Sequence, residues 1–370
     1  MNTLRQLARL GQSIWYDNVN RGLLTGGGLR AMVEEGCLGV TSNPTIFEKA
    51  IAGSADYDGQ IARLMRENPA LRTGRLIQEL MMTDIRMACD VMRPVYDGTA
   101  GLDGFVSIEV TPSRARLTAE TLEEVEFLWK TVDRPNLMVK IPATQEGLPA
   151  VEESLARGRN INVTLIFSEE RYRQVAERYL CALEHRASEG KDLAGVASVA
   201  SIFVSRVDTM VDEILLGSGS PACRALAGKA AVANARMVYG AFREIFGSPR
   251  FRALADRGAR VQRPLWGSTG TKNPAYSDLL YVETLVGPDT VNTVPPQTYA
   301  AILDHGRAEM TVEAEPGGTR RVLDDLASCG VDLPGVLRKL EEDGVSAFEK
   351  SYDGLAANLD RKREQMARGS

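Results

Sequence analysis

The sequence predicts an α/β fold, a (β/α)8 or TIM barrel with additional helices and a helical C-terminal extension. Three observations point there: short β-rich runs recur eight times, amphipathic helical stretches separate them, and the chain after His305 turns charged and helical in pattern. Strands that alternate with helices pair in parallel, and eight such units close into a ring whose active site lies at the C-terminal strand ends. A chain of 370 residues, 44% of them hydrophobic, has room for one such barrel with insertions.

The runs are Ser13 to Asp17, Leu38 to Ser42, Phe105 to Val110, Leu137 to Pro142, Ile161 to Phe167, Ala197 to Phe203, Val261 to Trp266 and Val291 to Val294. Helical spacing is clearest over Ala119 to Thr131 and Ser168 to Arg186, and long insertions follow the second and sixth runs. Start signals agree. Ser42-Asn43-Pro44 puts a capping residue before a helix-initiating proline, and Ser168 precedes Glu169 and Glu170 at another N-terminus. Near the C-terminus, Leu337, Leu340, Val345 and Phe348 share one stripe of a helical segment, interrupted at Gly344. The expected division is a catalytic barrel over 1–306 and a helical extension over 307–370 packed on it.

Charge and cysteine usage remove other classes. With 44 Lys and Arg against 49 Asp and Glu, the net charge of −5 argues against a nucleic-acid or anionic-membrane surface, which needs a basic field. No stretch approaches 18 uninterrupted apolar residues, and Met1 to Gln12 has no apolar run long enough for a secretory leader. Cys37, Cys89, Cys181, Cys223 and Cys329 are scattered, without a CxxC pair or HExxH, so neither a zinc site nor a disulfide framework is readable. A reduced cytoplasmic setting without metal is the expectation. Asn162-Val-Thr164 matches a glycosylation sequon but lies in an apolar, strand-like run and reads as accidental. Gly267-Ser-Thr-Gly-Thr-Lys272 lacks the Gly-Lys step of a nucleotide-binding P-loop, and Gly217-Ser-Gly-Ser-Pro-Ala222 follows helix where a dinucleotide fingerprint needs a strand. Loops after the last strands of barrels commonly take phosphate, which keeps Ser268 and Lys272 as candidate anion ligands.

Polar residues stand where a buried parallel strand should be apolar. Asp17 ends the first run, Glu109 sits near the end of the third, and Lys140 interrupts Leu137-Met-Val-Lys-Ile-Pro142. Asn162 and Thr164 share a face of the fifth, and Ser201 lies in the sixth. Alternation puts Met138 with Lys140, and Ser107 with Glu109, on common faces. If those faces point inward, one amine and two carboxyls converge. A charged amine is costly in such surroundings, and a neutral one can attack a carbonyl to form a Schiff base, an electron sink for carbon–carbon cleavage. Carbinolamine dehydration then needs a proton donor and aldol cleavage a base, which two carboxyls in different environments can supply. The plainer alternative is a structural ion pair between Lys140 and Glu109.

Two segments resemble signatures of the transaldolase family: Gly39-Val-Thr-Ser-Asn-Pro-Thr-Ile-Phe47, and Val139-Lys-Ile-Pro-Ala-Thr-Gln-Glu-Gly-Leu148. Asn160-Ile-Asn-Val-Thr-Leu165 and Ala200-Ser-Ile-Phe-Val-Ser-Arg206 fit the same family, and Trp266-Gly-Ser-Thr-Gly-Thr-Lys-Asn-Pro274 resembles its longer bacterial subgroup. The resemblance implies a cofactor-free transferase of the pentose phosphate pathway. Such an enzyme moves a dihydroxyacetone unit from sedoheptulose 7-phosphate to glyceraldehyde 3-phosphate, giving erythrose 4-phosphate and fructose 6-phosphate. It implies Lys140 as the Schiff-base residue, Glu109 as the acid/base acting through a water, and Asp17 as the group handling the aldol hydroxyl proton. Asn43, Asn162, Thr164 and Ser201 would hold the dihydroxyacetone moiety or the water, Phe203 would border it, and Arg206 would take the phosphate. The family's second phosphate arginine has no clear counterpart, and Ser268 and Lys272 stand in its place. The expected partners are sugar phosphates alone, with no nucleic acid or membrane, for a monomer or homodimer. Two alternatives remain: a sibling Schiff-base aldolase that releases free dihydroxyacetone, and a non-catalytic sugar-phosphate-binding barrel. Siblings tend to carry Gln at the place of Glu109 and Tyr at that of Phe203, which favours transfer.

Overall fold

The first strand, β1 (Gln12–Tyr16), pairs in parallel with the last, so the chain's two ends meet in one sheet. Between them come β2 (Val106–Glu109), β3 (Leu137–Pro142), β4 (Ile161–Ile166), β5 (Ser198–Phe203), β6 (Arg263–Gly267) and β7 (Thr290–Val294), in the spatial order β1-β7-β6-β5-β4-β3-β2. This computed structural model describes residues 2–314 and 316–368.

The run around Val40 is the eighth member of the ring, although it is too brief to be a full strand. Val40 bridges Tyr16 of β1 on one side and Val106 of β2 on the other. Backbone bonds support both bridges: Thr41 N–H donates to the Tyr16 carbonyl at 2.9 Å, and Val40 N–H to the Phe105 carbonyl at 2.9 Å. The barrel closes through this segment. It is cut short because a helix, Pro44–Ala52, starts at once: Asn43 Oδ1 accepts the Ile46 N–H at 3.0 Å and Pro44 occupies the first turn. The second capping signal also forms, with Ser168 Oγ accepting the Arg171 N–H at 3.1 Å.

Inside the ring, Trp15, Phe105, Met138, Val199, Leu265 and Val291 make one apolar cluster, separate from the larger core between strands and helices. Beneath it, at the strands' N-terminal ends, the buried pair Arg263 Nη1–Asp103 Oδ1 (3.0 Å) and the Trp15 indole N–H on Asp103 (3.0 Å) plug the barrel. Polar groups at this end serve stability rather than chemistry. Asn162 and Thr164 are fully buried in β4, so the sequon is out of reach of any glycosylating enzyme.

Two expectations are corrected. Gly344 does not interrupt a helix: the C-terminal helix runs unbroken over Leu333–Arg368. A Cβ at 344 would stand 3.0 Å from Leu165 Cδ2, so the glycine lets this helix lie close on the barrel. The helix packs on Pro44–Ala52, with Thr45 Oγ1 and Ser351 Oγ 2.8 Å apart, and sets Phe348 against Phe203 at 6.4 Å between ring centroids. The cysteines are also not all unpaired. Cys223 and Cys329 form a disulfide that ties the short helix Pro221–Arg224 to the end of Pro316–Ser328. A separation of 106 residues gives no local spacing from which to read that pairing.

Among the described residues, no helix is long and apolar enough to cross a membrane, and none of their His, Cys, Asp and Glu side chains form a cluster that could hold a metal ion.

Candidate active site

Alternation along β3 turns Lys140 to the same face as Met138, which is in the barrel's interior cluster. Glu109 of β2 is its direct register partner, and Asn162 of β4 is its partner on the other side. Lys140 Nζ lies 3.7 Å from Glu109 Oε2 and donates to the Ser42 carbonyl at 3.1 Å. Both charged residues are only 5% exposed. Asp17, one residue beyond β1, accepts the Thr41 hydroxyl at 2.6 Å, and Thr41 in turn is 2.5 Å from the Thr293 hydroxyl of β7. One amine and two carboxyls thus meet in the barrel, as the alternation pattern predicts.

Each carboxyl is shifted. Burial pushes Glu109 up to about 7, against the pull of the Lys140 charge and with a further push from Asp17. Burial also raises Asp17, while Lys140 and the Thr41 hydroxyl act in the opposite direction. Two carboxyls raised by burial beside one amine are an arrangement able to exchange protons with it. Among the described residues, neither Glu109 oxygen has a hydrogen-bond partner, nor has the Thr164 hydroxyl. Buried polar atoms are nearly always satisfied, so these three can take a substrate or water partner; unpaired buried atoms also occur away from the cleft, at Ser154 and Tyr172 for example.

A cleft of about 1050 Å³ opens above the amine, at the C-terminal ends of the strands. Asp17, Asn43 and Lys140 line it together with Ser201, Phe203 and Arg206, and the loop after β6 adds Ser268 and Lys272. Glu109, Asn162 and Thr164 do not line it: they are buried beside Lys140 and its strand. Asn162 is fixed from both sides, donating to Ser107 Oγ at 3.1 Å and accepting the Ser201 hydroxyl at 2.6 Å. Arg206 lies over the Phe203 ring at 5.1 Å, and burial lowers its pKa while the Glu109 charge partly restores it. Among the described residues, Arg206, Lys272 and Lys49 all line the cleft and none of the three is in an ion pair with a carboxylate.

Thr41, Ser42, Thr293 and Phe348 are additions that sequence reasoning did not single out. Thr41 and Thr293 carried a signal, as hydroxyls inside otherwise apolar runs. Ser42 contributes through its backbone carbonyl, which no side-chain pattern reveals. Phe348 reaches the cleft from the C-terminal helix, far away in sequence.

Comparison with known proteins agrees with this geometry. The family model described as transaldolase/fructose-6-phosphate aldolase matches residues 14–359. The chain is 48% identical to a transaldolase of Saccharopolyspora erythraea, covering 99% of this chain and 98% of that one. It is 48% identical to a transaldolase of Thermobifida fusca, covering 98% of each. A transaldolase of Thiobacillus denitrificans is 47% identical, covering 97% of this chain and all of the other.

Proposed function

The chain belongs to the transaldolase/fructose-6-phosphate aldolase family and is a transferase of the transaldolase kind, and we propose that Lys140, Glu109 and Asp17 divide its chemistry between them. The substrates are sugar phosphates: the enzyme carries a dihydroxyacetone unit from sedoheptulose 7-phosphate to glyceraldehyde 3-phosphate through a lysine Schiff base. Substrates of that kind place the work in the cytoplasm.

The observation that carries the assignment is the 3.7 Å approach of Glu109 to Lys140 in a buried setting, with Asp17 close enough to feel the Lys140 charge and to push Glu109 further up. The amine attacks the donor's ketone carbon, and Glu109, acting through a water, passes a proton to the departing hydroxyl. The resulting iminium accepts the electron pair of the adjoining carbon–carbon bond when Asp17 removes the proton of the aldol hydroxyl. An aldose phosphate leaves and an enamine stays on Lys140. An acceptor aldehyde then reverses the cleavage, Asp17 returning the proton, and hydrolysis frees the new ketose phosphate. Asn43, Asn162, Thr164 and Ser201 hold the three-carbon unit or the water, with Phe203 at its edge. Arg206, Ser268 and Lys272 receive the phosphate, for which cations on the cleft lining without carboxylate partners are suited.

Transfer and release are separated by one assay. The enzyme, mixed with fructose 6-phosphate alone, should release one equivalent of glyceraldehyde 3-phosphate and stop until erythrose 4-phosphate is added. Continuous release of dihydroxyacetone without an acceptor would instead make it an aldolase.

A further inference from the structure

We infer that Asp212 and Tyr276, backed by Asp208 and Tyr281, are positioning residues that fix where Lys272 stands relative to Arg206 and so set the preference for phosphorylated donors. The inference deepens the phosphate assignment above and rests on it. Arg206 belongs to the helix Ser205–Gly217, which follows β5 after one residue. Ser268 and Lys272 belong to the loop after β6, so the two halves of the phosphate site lie on separate segments that something must hold together.

Three contacts do so. At the start of the loop, Ser205 N–H donates to the Ser268 carbonyl at 3.0 Å and the two hydroxyls lie 3.0 Å apart. Ser268 adopts a left-handed backbone, φ +52°, a conformation that a non-glycine residue keeps only when its surroundings hold it. Further along, the Tyr276 hydroxyl donates to Asp212 Oδ2 at 2.6 Å, and at the far end the Tyr281 hydroxyl donates to Asp208 Oδ2 at 2.8 Å. Asp208 and Asp212 are four residues apart and so share a helix face. Each carboxylate has its other oxygen occupied: Asp212 Oδ1 by the Gly228 N–H at 2.9 Å, and Asp208 Oδ1 by the Ala231 N–H at 2.8 Å.

Gly228 supplies an independent sign that Tyr276 is seated rather than merely nearby. A Cβ at that position would lie 2.9 Å from the tyrosine ring, so the ring rests directly on the glycine backbone. Lys272 is exposed on the loop between the first two anchors and makes no ion pair among the described residues, so the anchors, rather than a carboxylate partner, locate the backbone that carries it. A loop tied at residues 268, 276 and 281 holds the backbone that carries Lys272 beside the helix that carries Arg206, and phosphate binding rewards such preorganisation.

The test compares donors with and without the phosphate in the full-length enzyme. Tyr276→Phe keeps the ring on Gly228 and removes the hydroxyl that bonds Asp212 and meets the Asn273 side chain. KM for fructose 6-phosphate should rise roughly tenfold, the effect of one hydrogen bond to a charged group, with kcat within about twofold and kcat/KM for fructose unchanged. Asp212→Asn, approached from the other partner, should give the same split. Equal losses on both donors would reduce the contact to a structural one and overturn the inference, as would an unchanged KM. Lys272→Met run beside them tests the underlying reading: if it leaves KM for fructose 6-phosphate unaltered, the phosphate assignment fails. If it raises KM while Tyr276→Phe does not, only the positioning role fails.

Discussion

Glu109 and Lys140 face each other across two adjacent parallel strands, with 3.7 Å between carboxylate oxygen and ammonium nitrogen and almost no solvent on either. A buried ion pair is weak evidence of stability, because the desolvation of two charges offsets their attraction. Removing one partner, by contrast, strands the other and costs about 3–5 kcal/mol.

That pair sets a pH dependence. Burial pushes Glu109 up to about 7, and below that value its carboxyl is protonated and cannot take up a proton as the amine attacks. The profile of kcat/KM should therefore rise with pH through about 7, and Glu109→Gln should lose this limb along with most of the rate. Stability should run the other way. The folded state binds this proton more tightly than the unfolded chain does between 4.5 and about 7, so the contribution of Glu109 to stability falls as pH rises through that window. The melting temperature of Glu109→Gln minus that of the parent should accordingly increase from pH 5 to pH 8.

Thr164→Val should separate stability from activity. Its hydroxyl is fully buried without a hydrogen-bond partner among the described residues, a burden of about 1–3 kcal/mol on the free protein. Thermal unfolding should show the valine variant equal to or more stable than the parent, while kcat falls at least roughly tenfold if the hydroxyl holds the water used by Glu109. A variant that lost stability and kept its rate would assign Thr164 to packing.

Asp17→Asn should still form the Schiff base with fructose 6-phosphate and fail to cleave it, because the amide cannot take the aldol hydroxyl proton. Thr41→Val removes the 2.6 Å hydrogen bond that favours the charged form of Asp17, so the acid limb of kcat should move to higher pH. Rapid-quench analysis of bound intermediate against released aldose phosphate measures the first, and a pH series the second.

The disulfide predicts a stability effect at a distance. Cys223–Cys329 closes a long loop that includes the strands β6 and β7, so Cys223→Ser should lower unfolding free energy by roughly 2–5 kcal/mol under oxidising conditions. Dithiothreitol should reproduce that loss in the parent and add nothing in the variant, as measured by urea unfolding.

The barrel was legible because its strands are short, apolar and punctuated by capping residues, and because polar residues such as Lys140 and Glu109 stood out against them. Alternation placed each of the two on a face shared with its strand neighbour; the register that sets them opposite each other came from the structure. What sequence could not show were contacts made by backbone or across long separations. The Ser42 carbonyl carries no residue-type signal, the Val40 run is a strand only through its neighbours, and Phe348 and the Cys223–Cys329 bond depend on where the C-terminal helices dock. Gly344 misled because glycine inside a helix signals a break in sequence but close packing in space.

Borohydride reduction in the presence of fructose 6-phosphate, followed by peptide mass mapping, tests the central claim most directly. A dihydroxyacetone-derived mass increase confined to the peptide containing Lys140, and absent in Lys140→Ala together with turnover, is the predicted result. A label on another lysine, no label at all, or an alanine variant that turns over unimpaired would contradict it.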